Sequence, residues 1–210
     1  MDHLSKKTVE QRFSRIYETG AWVHSDSQQA RSGMGSELTA TESVRTAIPA
    51  LLQRLACQSV IDVGCGDWNW MQTLDLPCEY LGIDIVPSVI EANRRFQRPG
   101  VRFEVADAIK GPLPECDLIL CREMLFHLSF EDGLRALQNM KKAAKWLCLT
   151  TDTCIWFNSQ IDTGDFRIIN LQYAPYSLPK PIKLIPDGAV ITGRNMGLWA
   201  GDRNSGQAVR

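Results

Sequence analysis

Residues 59 to 153 alternate between short apolar runs and segments with helical periodicity. Runs rich in Val, Ile and Leu predict five strands, at 59–64, 79–85, 101–107, 116–122 and 145–153. Helices are predicted between them at 87–96, opened by Pro87, and at 129–144, capped by Ser129. Because apolar strands that alternate with helices are typical of a parallel sheet covered on both faces, the chain is predicted to be an α/β protein.

The flanking regions have a different character. Helices are predicted at 6–17 and 39–55, where Thr41 is the expected cap and Pro49 predicts a kink or a late start. Beyond residue 155 the prolines become frequent, and short β-like pieces predict a terminal antiparallel hairpin at 181–186 and 196–201. We therefore expect an N-terminal helix and lid loop (1–40) before a single domain (41–210) that carries an insertion at 155–185.

Composition excludes several classes of protein. The 210 residues are 44% hydrophobic and 22% charged, as expected for one globular domain with a sizeable core. The net charge of −1 argues against a dedicated nucleic-acid binder. No apolar run reaches the ~18 residues of a membrane span, and the N-terminus lacks the apolar core of a signal peptide. We expect a soluble cytoplasmic protein with no membrane partner, and we leave its oligomeric state open, a homodimer included.

The seven cysteines do not form a recognisable metal site. Their number is odd, and no C-x-x-C spacing occurs. Several of them lie in or beside the apolar runs, where a reduced thiol behaves as a small hydrophobic side chain. The sequence therefore predicts free thiols, a reducing compartment and no bound metal.

The stretch VIDVGCGDW, at 60–68, ends the first predicted strand in a glycine-rich turn. Gly64 and Gly66 allow a ligand to approach the main chain closely, and Asp62 places a carboxylate beside it. Ligands of open parallel sheets bind beyond the carboxyl ends of the strands. A dinucleotide fingerprint would need glycine at position 69, which is Asn69, preceded by the bulky Trp68. We therefore expect a ligand that lacks a diphosphate but carries a cationic group.

Two more carboxylates follow at the ends of the next strands. Asp84 comes eighteen residues after Gly66, where an acidic side chain can accept hydrogen bonds from both hydroxyls of a ribose. Asp107 ends the third strand, where an adenine edge would lie. Any one such aspartate can be a turn former or a cap. Three at successive strand ends after a G-x-G turn favour a nucleoside-binding site.

The order of these motifs resembles motifs one to four of the class I (Rossmann-like) S-adenosylmethionine-dependent methyltransferases, bacterial small-molecule type. The motifs are DVGCG (62–66), GID (82–84), ADA (106–108) and CDLILCREMLFHL (116–128). The resemblance covers roughly residues 40 to 155 and implies a seven-stranded sheet with a final antiparallel strand. It implies S-adenosylmethionine as cofactor and S-adenosylhomocysteine as product.

The resemblance also implies roles for individual residues around the cofactor. Gly64, Cys65 and Gly66 would lie against its methionine part and Asp62 near its amino group. Asp84 would bind the ribose hydroxyls, and Asp107 with Ala108 the adenine. Other residues would complete the cavity, as apolar walls or as its floor near the sulfonium: Trp68, Ile85, Cys121 and Arg122.

The residues after the fourth strand are the candidates for catalysis. Cys121-Arg122-Glu123-Met124 lacks the Asn/Asp-Pro-Pro-aromatic motif with which amine methyltransferases of DNA and some proteins grip a planar nitrogen. Small-molecule enzymes of this fold often have a hydrophobic residue, His and Leu here, as in Phe126-His127-Leu128. His127 is a candidate general base, or a histidine that only fixes its loop. Glu123 is a candidate substrate contact, and Arg122 could pair with an anionic substrate, with Asp117 or with Glu123.

Two further segments are candidates for closing the site. The Gly- and Ser-rich stretch 24–41 resembles a loop that folds over the cofactor in some bacterial small-molecule methyltransferases, although it could be a surface linker. The insertion is too long for an ordinary loop and is predicted to build the substrate pocket. The predicted substrate contacts are Trp22, Asp165, Arg167 and Tyr173, with a salt bridge between Asp165 and Arg167 as the alternative.

The leading interpretation is a methyltransferase that acts on oxygen or nitrogen of a small polar metabolite, such as a sugar, a polysaccharide precursor or a secondary metabolite. A non-catalytic regulatory protein that keeps the cofactor is one alternative, and an RNA or protein methyltransferase is another. A nicotinamide-dependent oxidoreductase is disfavoured by Asn69.

Overall fold

The computed structural model describes residues 7–24, 29–187 and 190–204. Parts of the predicted N-terminal helix and lid loop, at 1–6 and 25–28, lie outside the described residues. The strands are β1 (Ser59–Val63), β2 (Glu79–Asp84), β3 (Val101–Val105), β4 (Cys116–Cys121), β5 (Ala144–Asp152), β6 (Lys183–Pro186) and β7 (Arg194–Ala200). The α-helices are α1 (Val9–Thr19), α2 (Glu42–Arg54), α3 (Pro87–Asn93) and α4 (Phe130–Ala143).

All seven strands form one sheet in the order β3-β2-β1-β4-β5-β7-β6. The first five pair in parallel, whereas β7 runs antiparallel between β5 and β6. The α/β fold and its terminal antiparallel hairpin are thus confirmed. The strand order reverses between β1 and β4, and such a switch point opens a crevice at the carboxyl ends of the strands.

Side chains of the central strands bury apolar surface on both faces of the sheet. In β1, Ile61 and Val63 belong to the apolar cluster that also contains Ile119 of β4 and the buried face of α4. Val60, from the same strand, belongs to the cluster beneath α2. Such two-sided burial explains why these strands read as continuous apolar runs rather than as alternating ones.

Helix starts follow local capping chemistry. Thr8 caps α1, accepting a hydrogen bond from the Gln11 amide while the Gln11 side chain accepts from the Thr8 amide, so this helix begins at Val9 and not at residue 6. Thr41 stands at the N-cap of α2, but its hydroxyl donates back to the carbonyls of Glu37 and Leu38. That helix runs through Pro49 from Glu42, so the late start predicted from the proline is wrong.

The insertion is ordered by buried contacts, although residues 153–182 contain no helix or strand. The amide of Ile169 donates to Oδ2 of Asp152 at 2.7 Å, and the amide of Leu171 donates to the Thr151 hydroxyl at 3.1 Å. Ile169 and Leu171 are themselves fully buried. The insertion therefore packs onto the carboxyl end of β5.

All seven cysteines lie in the described part of the chain and are free thiols, as the sequence predicts. Within the described residues, none of the helices combines the length and the apolar character needed to cross a bilayer.

Candidate active site

A cavity opens where β1 turns into its glycine-rich loop. Gly64 and Gly66 adopt left-handed conformations, with φ of +75° and +55°. A Cβ at Gly64 would lie 2.9 Å from Cγ of Met124, and one at Gly66 would collide with the Ser32 hydroxyl. Both positions therefore need glycine, for conformation and for space, and both line the cavity together with Cys65.

Asp62 places its carboxylate at the edge of this cavity from inside the sheet. The residue is 4% exposed, and its Oδ2 accepts a 2.7 Å hydrogen bond from the Tyr80 hydroxyl. Burial raises the pKa of Asp62 to about 7, against the opposing effect of the Tyr80 hydrogen bond. A cationic group in the cavity would favour the ionised carboxylate.

Asp84, at the end of β2, is held by the glycine-rich loop. Its Oδ2 accepts from the Gly66 amide at 3.1 Å and its Oδ1 from the Val86 amide at 3.0 Å. Burial raises the pKa of Asp84 above its usual value even though these amides favour the charged form. The hydrogen bonds fix the direction of a carboxylate that lines the cavity.

The carboxyl end of β3 supplies the next part of the wall, through Asp107 and Ala108, and Ile85 joins them from the end of β2. Asp107 Oδ1 accepts from the amide of Ile109 at 2.9 Å, and Oδ2 pairs with the exposed ammonium of Lys110 at 3.1 Å. Asp107 thus forms a turn and lines the cavity at once, which combines the two interpretations that the sequence allowed.

The N-terminal region covers the cavity with Tyr17 and Trp22 and with Ser32 and Ser36. The Ser32 hydroxyl donates to Asp67 Oδ1 at 3.0 Å and accepts from the Asp67 amide at 2.9 Å. Because its single proton is directed to Asp67, the 2.8 Å contact with the Tyr17 hydroxyl is donated by Tyr17. We call α1 with residues 29–36 the cover; these bonds attach it to the glycine-rich loop.

Arg122 and Glu123, just beyond β4, line the cavity beside the cover. The Arg122 guanidinium makes two 2.9 Å hydrogen bonds to the Asp187 carboxylate, and its Nη2 lies 3.7 Å from Glu123 Oε1. Glu123 Oε1 accepts at 2.8 Å from Arg194, whose Nε donates at 3.0 Å to Asp152. We call these five residues, Asp152, Arg194, Glu123, Arg122 and Asp187, the charge chain.

His127 lines the cavity with one ring nitrogen already bonded. Its Nδ1 lies 2.7 Å from the carbonyl oxygen of Asp165. Since a carbonyl only accepts, Nδ1 carries the proton in this bond and Nε2 of the neutral ring keeps a lone pair. Burial lowers the pKa of His127, and the ring stacks on Trp22 with centroids 4.8 Å apart. The imidazole is therefore held neutral and oriented.

Trp68, predicted as an apolar wall, and Cys121, predicted as part of the floor, both lie away from the cavity lining. Trp68 is 1% exposed on the opposite side of its loop, 5.1 Å from the rings of both Phe96 and Phe103, because its own φ of +58° turns the indole into the core beneath α2. Cys121, the last residue of β4, points into the core, so that the next residues, Arg122 and Glu123, form the floor.

Three of the four predicted substrate contacts also differ from expectation, since only Trp22 lines the cavity. Arg167 is buried and donates to the Tyr176 hydroxyl at 2.7 Å instead of pairing with Asp165. Asp165 has an exposed side chain and contacts His127 through its backbone carbonyl. Tyr173 is 40% exposed and lies outside the cavity lining. The insertion therefore holds His127 through a backbone carbonyl but does not itself line the cavity.

Sequence reasoning missed residues that join distant parts of the chain at the site. Tyr17 and Asp67, which are bonded to each other through Ser32, were not among the predicted site residues. Asp152, Asp187 and Arg194 are separated in sequence from the residues with which they pair by up to 71 positions. No local pattern identifies such partners, although a charged residue at a strand end in an apolar context is a usable signal.

Comparisons with known proteins agree with this geometry. Residues 61–146 match the family described as methyltransferase domain. The fold is similar to that of human N-acetylserotonin methyltransferase, solved with S-adenosylmethionine, at 12% identity and a TM-score of 0.62, over 93% of this chain and 60% of that one. It is also similar to the mitomycin 7-O-methyltransferase MmcR, at 16% identity and a TM-score of 0.59, over 78% and 54% of the two chains.

Among curated proteins, no sequence matches the chain significantly. The matched segment, 61–146, contains the glycine-rich loop, all three strand-end aspartates and the floor residues Arg122 and Glu123. Residues 61–146 are thus a methyltransferase domain by their family match, and the seven-stranded sheet with its antiparallel hairpin has the class I fold; together they support an S-adenosylmethionine-dependent methyltransferase.

Proposed function

We propose that the enzyme methylates an oxygen or a nitrogen of a small polar metabolite, such as a sugar, a polysaccharide precursor or a secondary metabolite. One observation carries the proposal: a single cavity extends from the carboxylates of β1 and β2 to Glu123 and His127, beneath the cover. Trp22 and Ser36 of the N-terminal region lie on its wall. A cavity covered in this way can enclose a complete small molecule. It is less suited to a side chain or a base that stays attached to a large polymer.

The residues of the crevice fit S-adenosylmethionine. Gly64 and Gly66 line the cavity without side chains, so a ligand can approach the main chain there, whereas a Cβ at either position would also collide with Met124 or Ser32. Asp84, fixed by two amides, would bind the ribose hydroxyls, and Asp62 would face the amino group. Ile85, Asp107 and Ala108 would enclose the adenine. When bound, the cofactor supplies a methyl group activated on a sulfonium.

His127 is the group that would remove a proton from the acceptor. Its Nδ1 proton is donated to the Asp165 carbonyl, which leaves Nε2 as the basic atom, and burial keeps the ring neutral. A positioned base contributes about 10²–10⁴-fold to a proton-transfer step. Holding the reactants in line contributes about 7–11 kcal/mol, so orientation in the covered cavity would provide the larger part of the rate enhancement.

The acceptor class can be tested with cofactor labelled in its methyl group. The purified enzyme is incubated with a metabolite extract, with total RNA and with total protein in separate reactions. Label in small metabolites supports the proposal, whereas label mainly in RNA or protein contradicts it. Cofactor binding without transfer to any of the three would instead favour a non-catalytic, regulatory role.

A further inference from the structure

Away from the residues assigned to the cofactor, the positive and negative side chains of the cavity wall are not equally available to a ligand. Among the described lining residues, the ionisable side chains not assigned to the cofactor are Arg122, Glu123, His127 and Tyr17, whose pKa burial raises so that it stays neutral. Burial lowers the pKa of His127, so this ring is neutral near pH 7. The balance of charge at the acceptor end therefore depends on Arg122 and Glu123 and on the groups paired with them.

Arg122 is already neutralised within the charge chain. Two hydrogen bonds of 2.9 Å hold its guanidinium against Asp187, whose side chain is fully buried, and the Arg122 side chain itself is 5% exposed. The second guanidinium, Arg194, is 2% exposed, lies over the Phe126 ring at 4.6 Å and does not line the cavity. Neither arginine offers the acceptor an unpaired cation.

Glu123 is the most exposed member of the charge chain, with 15% of its side chain accessible. The charge chain contains three carboxylates and two guanidiniums, so its formal charge is −1. Glu123 is the carboxylate of the charge chain that lines the cavity. Its backbone adopts a φ of +58°, a left-handed conformation that disfavours a residue with a Cβ. Its amide donates to the Thr150 hydroxyl at 2.8 Å, which holds it there.

The cover lies directly on this carboxylate. A Cβ added to Gly35 would overlap the Glu123 carboxylate, with Oε2 as the nearest atom. Oε1 is bonded to Arg194, so Oε2 is the oxygen left for a ligand donor. The backbone strain and the buried partners thus present one oriented carboxylate oxygen under the cover.

We propose that Glu123 recognises the methyl acceptor through a hydrogen-bond donor, and that the acceptor is neutral or cationic at this end while anionic acceptors are rejected. This inference rests on the proposed function, whose substrate class it narrows. Arg194 and Asp152 are positioning residues for the Glu123 carboxylate. An anionic group beside Glu123 would meet a like charge in a partly desolvated site, where the described lining residues offer no unpaired cation to offset it.

The test uses protein saturated with S-adenosylhomocysteine and three probes that share one frame: benzylamine, benzyl alcohol and benzoate. Ligand-observed NMR titrations give the Kd of each. We expect benzylamine or benzyl alcohol to bind at least about tenfold more tightly than benzoate. In Glu123→Gln, the preference for benzylamine over benzoate should fall by about tenfold, whereas Glu104→Gln, at an exposed glutamate of β3, should keep it.

The inference is overturned if benzoate binds as tightly as the tighter-binding of benzylamine and benzyl alcohol, if none of the three probes binds, or if Glu123→Gln leaves the discrimination against benzoate unchanged. The comparison of probes on the unsubstituted protein remains decisive even where the variant fails to fold. Failure of S-adenosylhomocysteine itself to bind would instead contradict the proposed function, so the two results can be told apart.

Discussion

The Tyr80 hydroxyl donates a 2.7 Å hydrogen bond to the carboxylate of Asp62, and both side chains are buried in the sheet. The pair joins neighbouring strands, since Asp62 lies near the end of β1 and Tyr80 near the start of β2. A carboxylate in this position is costly for an isolated fold, because burial raises its pKa to about 7. A cationic ligand bound beside Asp62 would favour the ionised carboxylate and so offset this free-energy cost.

Replacing Asp62 should change how stability depends on pH. The folded pKa of about 7 lies above the unfolded value of 3.8, so the folded state keeps a proton that the unfolded state loses between these values. Stability from this group therefore falls as pH rises through that window, by about 2–3 kcal/mol between pH 5 and 7. Urea unfolding of Asp62→Asn should show its stability relative to the unsubstituted protein rising by this amount.

The control for that experiment is Asp75→Asn, at an exposed loop position. Its stability should run parallel to that of the unsubstituted protein across the same pH range. If Asp62→Asn also runs parallel, the carboxylate is ionised at pH 5 and our description of its environment is wrong.

His127→Asn should slow methyl transfer without weakening cofactor binding. The Asn amide can still donate to the Asp165 carbonyl, so the loop keeps its bond while the basic Nε2 is lost. For an acceptor that must lose a proton, kcat should fall by about 10²–10⁴-fold. Because burial lowers the pKa of His127, the activity of the unsubstituted enzyme should hold as pH falls to 6.5 and decline only below it. An unchanged kcat in the variant would leave His127 with a structural role.

Arg194→Met should destabilise the fold strongly. It would leave Asp152 and Glu123 without the cation that bonds both, and breaking a buried ion pair from one side costs about 3–5 kcal/mol. Arg135→Met, which removes an exposed pair with Glu131 at 2.7 Å, should cost less than about 1 kcal/mol. Urea unfolding measures both, and equal effects would mean that the charge chain is not tightly coupled.

Ser32→Ala should weaken cofactor binding while leaving the sheet intact. The substitution removes two hydrogen bonds that join the cover to Asp67 of the glycine-rich loop, and one between Ser32 and Tyr17 within the cover. At about 1 kcal/mol for each bond, the Kd for S-adenosylhomocysteine should rise by roughly tenfold or more, provided that the cover closes on the ligand. Ser43→Ala, at an exposed position of α2, is the matched control. Unchanged affinity in Ser32→Ala would show that the cover does not contribute to binding.

Local sequence patterns were sufficient for the sheet and for the crevice. The apolar runs, the glycines at 64 and 66 and the strand-end aspartates all report on their own immediate surroundings, and the structure has the strands where the runs predict them. The residues that line the cavity from β1, β2 and β3 could be predicted from the sequence for the same reason.

Local sequence patterns could not predict how side chains in loops are oriented. Trp68 turns into the core because of its positive φ, and Arg167 is directed to Tyr176 by the packing of the insertion. Glu123 meets Arg194 only because the antiparallel β7 pairs with β5, which brings residues 71 positions apart into contact. Such contacts depend on the complete topology and not on any local motif.

The most direct test of the account is an isothermal titration with S-adenosylmethionine, S-adenosylhomocysteine and NADH. We expect micromolar binding of the first two and none of NADH, and loss of that binding in Asp84→Ala but not in Asp75→Ala, with circular dichroism confirming that both variants are folded. Unchanged affinity of folded Asp84→Ala, or tight binding of NADH to the unsubstituted protein, would contradict the assignment of the crevice to S-adenosylmethionine.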